Sequence, residues 1–406
     1  MLCGVFIMKE YVEQNLTKKM NSIKVLDFIR KKGRITKAEL AEETKLTFAA
    51  ISNIINDLIK NGMIKECGEG LSSGGRKPIL YELNSEALYV MGIDITVDEK
   101  VRFGLFTFNT VLVSELCLDS PIIKGPDEYI EIIKKGIREL IEQEGIDYQK
   151  IVGIGVSIPG PINSITGEVI SPPNLPLWRQ VPLKEILEKE LQIPIKIEKD
   201  ANLSALGEKW FGAGREAENL VYLFVGEGIG SGVILNGTLI NNKGFGIGEI
   251  GHCTIDSFGP LCNCGNYGCL ELKASGLAVV KKVKEGLQQG YKTSYHYPAI
   301  EQISFSNILE AIDSKDPFTI EVVEEAANYL GIGLTNVINY FNPDMIIIGG
   351  KLPEKYEKMI ELSASIARNR AIEVFQKDLS IIPGSLKEKS TIMGAAALIL
   401  EDIFRN

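Results

Sequence analysis

Cys262, Cys264 and Cys269 crowd into eight positions, and His252, one of only two histidines in the chain, stands ten residues before the first of them. Crowding of this kind around a histidine implies a metal rather than disulfides. Three thiolates and one imidazole complete a tetrahedral Cys3His set with no open position, the arrangement of a structural zinc rather than a catalytic one. Closing it staples an irregular loop. Zinc can supply roughly 10 kcal/mol of folding free energy in small sites, so loss of a single ligand is expected to loosen the region. Cys253 adjoins His252 but falls off the pattern, and Cys3, Cys67 and Cys117 are scattered.

A second group of residues points to a polyanion. Residues 1–82 hold 14 Lys and Arg against 10 Asp and Glu, while the remainder holds 30 against 43, so a basic head sits on an acidic body. Within the head, Ile23, Leu26, Phe28 and Ile29 recur at helical spacing up to Gly33, Thr36 and Glu39 form a capping-box pattern, and Thr47 caps a further helix that ends at Asn61-Gly62. Two short helices joined by a turn at Thr44–Leu46 read as a helix-turn-helix. The exposed start of the second helix, Thr47, Phe48, Ala49, Ser52 and Asn53, is what a recognition helix presents to the major groove. Met63–Glu66 and Ile79–Leu83 read as a two-stranded hairpin, a wing, with Arg76 and Lys77 beside its glycine-rich tip and Arg76 suited to a narrow minor groove.

Beyond Asn84 the chain alternates strand and helix signals. Three apolar runs, Val90–Ile95, Val101–Phe108 and Val111–Leu118, precede a helix over Tyr129–Glu144; strands follow at Ile151–Ile158 and Ile193–Ile197, then a helix over Asn202–Phe211. A second lobe opens at Leu220: strands Val221–Val225 and Ile229–Leu235 flank the turn Gly226-Glu227-Gly228-Ile229-Gly230-Ser231-Gly232. Later come helices near Leu272–Gln289, Thr319–Tyr340 and Glu354–Ile372, a buried strand at Met345–Ile348, and an apolar C-terminal run, Gly394–Phe404, able to pack back as a helix. The reading is α/β, an N-terminal winged helix-turn-helix followed by a two-lobed actin-like (RNase H-like) fold with a weak internal duplication. Its expected domains are residues 1–82, 83–210 with the returning helix 391–406, and 211–390. No run reaches a membrane span, and neither end of Met1–Met8 fits a secretion signal, so a cytoplasmic protein is expected, with Met8 an alternative start.

The segment Asn15–Pro78, ending Ser-Gly-Gly-Arg76-Lys77-Pro78, resembles the head of ROK-family repressors, and Glu249-Ile-Gly-His252 followed by Cys262-Asn-Cys264-Gly-Asn-Tyr-Gly-Cys269-Leu-Glu271 resembles that family's paired body motifs. The resemblance covers essentially the whole chain. It implies that sugar hydroxyls are held in a cleft by Glu249, His252 and Glu271 with Asp200 and Asn174, the last two in Lys199-Asp-Ala-Asn202 and Pro172-Pro-Asn-Leu175. Carboxylates and amides supply the acceptor pairs that vicinal hydroxyls need.

Kinases of the family use the aspartate corresponding to Asp200 as general base and glycine-lined hairpins at the ATP phosphates. Here the first hairpin reads Asp94-Ile-Thr-Val-Asp98-Glu99, without glycines, and the second carries Glu227 where a hydroxyl residue is usual. At about 4 Å and an effective dielectric near 20, each such carboxylate costs on the order of 4 kcal/mol against a phosphate. Lys199 stands where the family has asparagine, which can alter the sugar chosen. Asp200 is then a vestigial base, ATP is not expected as a cofactor, and the chain reads as a homodimeric sugar-responsive repressor whose partners are operator DNA and a small sugar such as xylose, with no membrane partner. The alternative is an ATP-dependent kinase of the glucokinase or N-acetylglucosamine kinase type.

Overall fold

The computed structural model describes residues 16–70, 77–95, 100–120, 125–172, 175–241 and 244–405. The head contains α1 (Leu16–Lys32), β1 (Ile35–Thr36), α2 (Lys37–Thr44), α3 (Phe48–Lys60), β2 (Ile64–Glu69) and β3 (Ile79–Leu83). The capping box forms: Thr36 Oγ1 accepts the Glu39 amide at 3.2 Å while the Glu39 carboxylate accepts the Thr36 amide at 2.8 Å. Both donors would otherwise be orphaned at a helix start. Lys45 adopts a left-handed φ of 61° to end α2, and Thr47 Oγ1 then accepts the Ala50 amide at 3.2 Å to start α3. Ile51, Ile54, Ile55 and Leu58 bury one face of α3. The wing is three-stranded, in the order β1-β3-β2, because residues 35–36 pair with β3. A two-residue strand is too short for any period to appear in the sequence.

The chain forms two compact units, residues 1–199 with 395–406, and residues 200–394. The boundary between the two units lies between Lys199 and Asp200. Besides the head, the first unit contains β4 (Tyr89–Asp94), β5 (Lys100–Thr107), β6 (Leu112–Asp119), α4 (Pro126–Glu144), β7 (Ile151–Ile158), β8 (Ile162–Asn163), β9 (Glu168–Val169), α5 (Leu183–Leu191) and β10 (Ile195–Lys199). Its main sheet has the order β10-β7-β4-β5-β6, with β4 antiparallel to β5 and parallel to β7. Central β4 is buried along its whole length, as a strand covered on both faces must be, whereas edge strand β6 alternates.

The second unit contains α6 (Asp200–Trp210), β11 (Leu220–Val225), β12 (Ile229–Leu235), β13 (Thr238–Leu239), α7 (Glu271–Ala274), α8 (Gly276–Gln288), α9 (Phe305–Asp313), α10 (Pro317–Phe341), β14 (Met345–Gly349), α11 (Lys351–Lys355), α12 (Lys358–Arg370) and β15 (Ser380–Pro383). Its sheet order, β13-β12-β11-β14-β15, repeats that of the first unit: an antiparallel meander on one side of the first strand and two parallel strands on the other. This duplication of topology without duplication of sequence is the actin-like architecture.

Two helices expected to be continuous are divided. Leu272–Gln289 breaks at Ser275, whose extended backbone stops α7 and whose Oγ accepts the Ala278 amide at 3.1 Å to cap α8. Glu354–Ile372 resolves into α11 and α12 around Tyr356, whose backbone leaves the helical region at φ −134° and ψ 78°.

The last helix, α13 (Ser390–Arg405), starts in the second unit and ends in the first. Near its end, Phe404 stacks on Phe108 at 5.1 Å between ring centroids and lies under the Arg30 guanidinium of α1 at 5.3 Å. At its start, Gly394 crosses α6 so closely that a methyl group there would overlap the Leu203 carbonyl, and one on Gly207 would overlap the Ser390 carbonyl. Backbone atoms cannot yield as a side chain can. Gly394→Ala is expected to cost about 3 kcal/mol, read as a lower denaturant midpoint with an unchanged slope. Unchanged stability would mean that the two helices can separate at no cost.

Candidate functional site

The ligand atoms of His252, Cys262, Cys264 and Cys269 all lie within 4.8 Å of one another. His252 Nδ1 is 3.7 Å from Cys262 Sγ, and Cys264 Sγ is 3.7 Å from Cys269 Sγ. A tetrahedral ion bound to sulfur at about 2.3 Å has ligand–ligand edges of about 3.7 Å, so the spacing fits one metal ion. Irregular backbone makes the knot possible. Thr254 bridges to Cys269 and Leu261 to Tyr267 in antiparallel fashion, and Gly268, at φ 64°, lies where a methyl group would overlap the Asp256 carbonyl. Asp256 is held by Lys273 at 3.0 Å. Burial, reinforced by the neighbouring Cys264 and Cys262 sulfurs, pushes the Cys269 thiol up to about 12. The Asn266 amide contact, chief among several hydrogen bonds, holds the Cys264 thiol below its ordinary range. Three sulfurs so close cannot all ionise without a cation among them.

Asp200, Glu249, His252 and Glu271 all belong to the second unit, and the first residues of β12 bring their segments together. Glu271 Oε2 accepts the Ile229 amide at 2.9 Å. Gly251, between Glu249 and His252, lies where a methyl group would overlap the Ile229 carbonyl, and Gly230 and Gly232 receive Ala201 and Ala205 of the helix that Asp200 begins. Ser231, buried one residue further along β12, donates its hydroxyl to the Gly248 carbonyl and so fixes the backbone just before Glu249. Sequence reading missed Ser231, and nothing local could have revealed it, because the bond joins positions 17 apart. Asn174 lies outside the described residues, as do Asp98 and Glu99. Lys199 is buried at the end of β10, its stem against Gly160.

The glycine-rich turn after β11 is closed on itself. The Gly226 amide donates to the Gly228 carbonyl at 3.0 Å, the Ile229 amide to Glu271, and the Gly226 and Glu227 carbonyls accept the Gly276 and Leu277 amides of α8 at 2.7 and 3.1 Å.

In the head, Phe48 is 58% exposed, Ala49 and Asn53 are exposed, and Ser52 is half-buried. Thr47 is exposed with its hydroxyl oxygen engaged as the α3 cap. Arg76 lies outside the described residues; Lys77 is exposed and paired with Glu69 at 3.3 Å, an ion pair too weak to withhold it from a phosphate. Among the described residues no helix is long and apolar enough to cross a membrane.

A winged helix-turn-helix joined to a duplicated actin-like body that carries a Cys3His knot defines a DNA-binding regulator built on a sugar-kinase scaffold. Residues 90–402 match the ROK family model and residues 21–65 match a winged helix-turn-helix DNA-binding model. The chain is 32% identical over 389 residues to the xylose repressor of Caldicellulosiruptor bescii, covering 96% of this chain and 97% of the relative. Among solved structures it resembles a ROK family transcriptional regulator described as a homolog of the Escherichia coli Mlc protein, with TM-score 0.83 and 27% identity over 96% of this chain and 97% of that one. It also resembles the ROK hexokinase of Thermus thermophilus, with TM-score 0.66 and 28% identity over 78% of this chain and all of that one. The chain belongs to the ROK family.

Proposed function

We propose that this protein is a sugar-responsive transcriptional repressor of carbohydrate-utilisation genes. It works in the cytoplasm as a homodimer whose two heads occupy half-sites about 34 Å, or a multiple, apart. Thr47, Phe48, Ala49, Ser52 and Asn53 enter the major groove, and Arg76 and Lys77 take the adjoining minor groove and phosphates.

The effector is a small sugar held by Asp200, Glu249, His252 and Glu271 with Asn174, and xylose is the first candidate by similarity to the xylose repressor. The bound metal is zinc, which a thiolate-rich tetrahedral set with imidazole favours. It supplies cross-linking of the loop, with no open position for chemistry. His252 turns Nδ1 toward the sulfurs, so with the ion held there its ring proton would sit on Nε2, leaving a hydrogen-bond donor for a hydroxyl.

The observation that carries the sensor reading over the kinase reading is Glu227, a carboxylate in the glycine-rich turn where the family's kinases have a hydroxyl residue. A phosphate cradle needs its amides free and no carboxylate among them. The test is a panel of xylose, glucose and N-acetylglucosamine, each with and without MgATP, read by thermal shift and by phosphorylated product. One sugar is expected to raise the melting temperature, MgATP to add nothing, and Glu249→Gln to weaken that sugar at least tenfold by leaving hydroxyls unmatched. Sugar phosphorylation at ordinary enzyme rates, which Asp200→Asn abolishes, would establish the kinase instead.

A further inference from the structure

Resting on the DNA-binding reading above, we propose that Asn56 is a second base-reading residue beside Asn53, and that the pair makes the head select adenines at adjacent positions of an A·T-dominated half-site. Ala49, Asn53, Asn56 and Lys60 form one exposed stripe along α3, opposite the buried stripe of Ile51, Ile54, Ile55 and Leu58. Residues three apart share a helix face and advance about 4.5 Å along the axis, close to the roughly 3.4 Å between successive base pairs. Two asparagines so spaced face neighbouring base pairs.

Their side chains are available. Neither amide has a hydrogen-bond partner among the described residues. Asparagine is a weak helix former, so two of them exposed in the middle of a helix cost helical stability and gain nothing from the protein itself. The neighbouring acid lies off the stripe: Asp57 is half-buried, with the Lys18 ammonium of α1 2.8 Å from its carboxylate to offset its charge.

The chemistry of the stripe then selects the base. An asparagine amide offers one acceptor and a donor, matching the N6 donor and N7 acceptor of adenine; guanine presents two acceptors to the same group. The commonest reader of guanine is arginine, and Phe48–Lys60 contains none, its single cation being Lys60 in the last turn. Exposed Phe48 and Ala49, one turn earlier, offer apolar contact to thymine methyl groups.

The test is selection of binding sites from a random duplex pool by the full-length protein, Asn53→Ala and Asn56→Ala. Alanine favours helix, so both variants should keep their fold, checked by an unchanged melting temperature. The wild type is expected to enrich adenine at adjacent positions in each half-site. Each variant should lose the preference at one position and bind the best site about tenfold or more weakly, with an unchanged salt slope. The proposal is overturned if Asn56→Ala enriches the wild-type sequence, or if it weakens every sequence equally with a smaller salt slope, the mark of a phosphate contact. Enrichment of guanine at these positions by the wild type would overturn it too. A wild type that enriches no sequence would reject the DNA-binding reading itself.

Discussion

Stripping the metal from the folded protein, or replacing Cys262 with serine, is expected to lower the melting temperature by roughly 6–12 °C and abolish sugar binding, if about 3 kcal/mol of the metal's contribution survives as stability at about 2–4 °C per kcal/mol. Zinc supplies on the order of 10 kcal/mol in small sites, but a loop anchored in a large domain returns only part of it. Without the ion, the buried Cys269 thiol, pushed up to about 12, stays protonated at neutral pH, and three sulfurs and an imidazole are left with weak hydrogen bonds. The two isolated bridges, Thr254 with Cys269 and Leu261 with Tyr267, then have to hold the loop. Sugar binding is expected to fall with it: His252 would itself hold the ion, Glu249 lies three positions before it, and Glu271 two positions after Cys269. Calorimetry with and without a strong chelator, one zinc per chain by elemental analysis, and sugar titration check all three parts. A metal-free protein with unaltered melting and sugar affinity would mean the cluster holds no structural ion.

The Cys3His cluster was legible in the sequence because its four residues fall within eighteen consecutive positions, and the Thr36–Glu39 capping box because it spans four. Strands such as Ile151–Ile158 and Ile229–Leu235 have boundaries that the structure keeps, since these largely buried runs stop at the turn residues Pro159-Gly160 and Asn236-Gly237. Other features need distant partners. β1 is a strand only because β3 passes beside it. Helices α5 and α9, nine residues each, are too short for a period to stand out from the surrounding chain. The link between Ile229 and Glu271, which sets the state of the glycine-rich turn, joins residues 42 apart. Asn56 belonged to a helix already read from its buried side, and its exposure became informative only once that helix had both faces.

Asp316→Asn is expected to cost about 2.5 kcal/mol at neutral pH, and the difference from the wild type should shrink as the pH falls from about 4 to about 2. Asp316 is fully buried at the start of α10 and accepts five close hydrogen bonds: from the Thr319 amide at 2.9 Å and hydroxyl at 2.6 Å, the Ser294 amide at 2.7 Å and hydroxyl at 3.0 Å, and the Thr293 hydroxyl at 2.8 Å. Burial alone would raise its pKa, but the donated bonds of Thr319, Ser294 and Thr293 together outweigh it and bring the carboxyl from 3.8 to about 2. A carboxylate whose folded pKa is depressed contributes its stability above the unfolded value and loses it as protons bind in the folded state. Because Thr319 gives its single hydroxyl proton to Asp316, the 2.6 Å contact with Tyr297 must be donated by the tyrosine, so the anchor extends to a third residue of the loop before α9. An asparagine would turn two amide hydrogens toward groups that now donate to the carboxylate, among them the Thr319 and Ser294 amides that cannot accept, leaving buried partners unmatched. Denaturant unfolding of both proteins between pH 7 and pH 2 measures the difference directly; a gap that stays constant across the range would show that the charge of Asp316 contributes nothing and that only its shape matters.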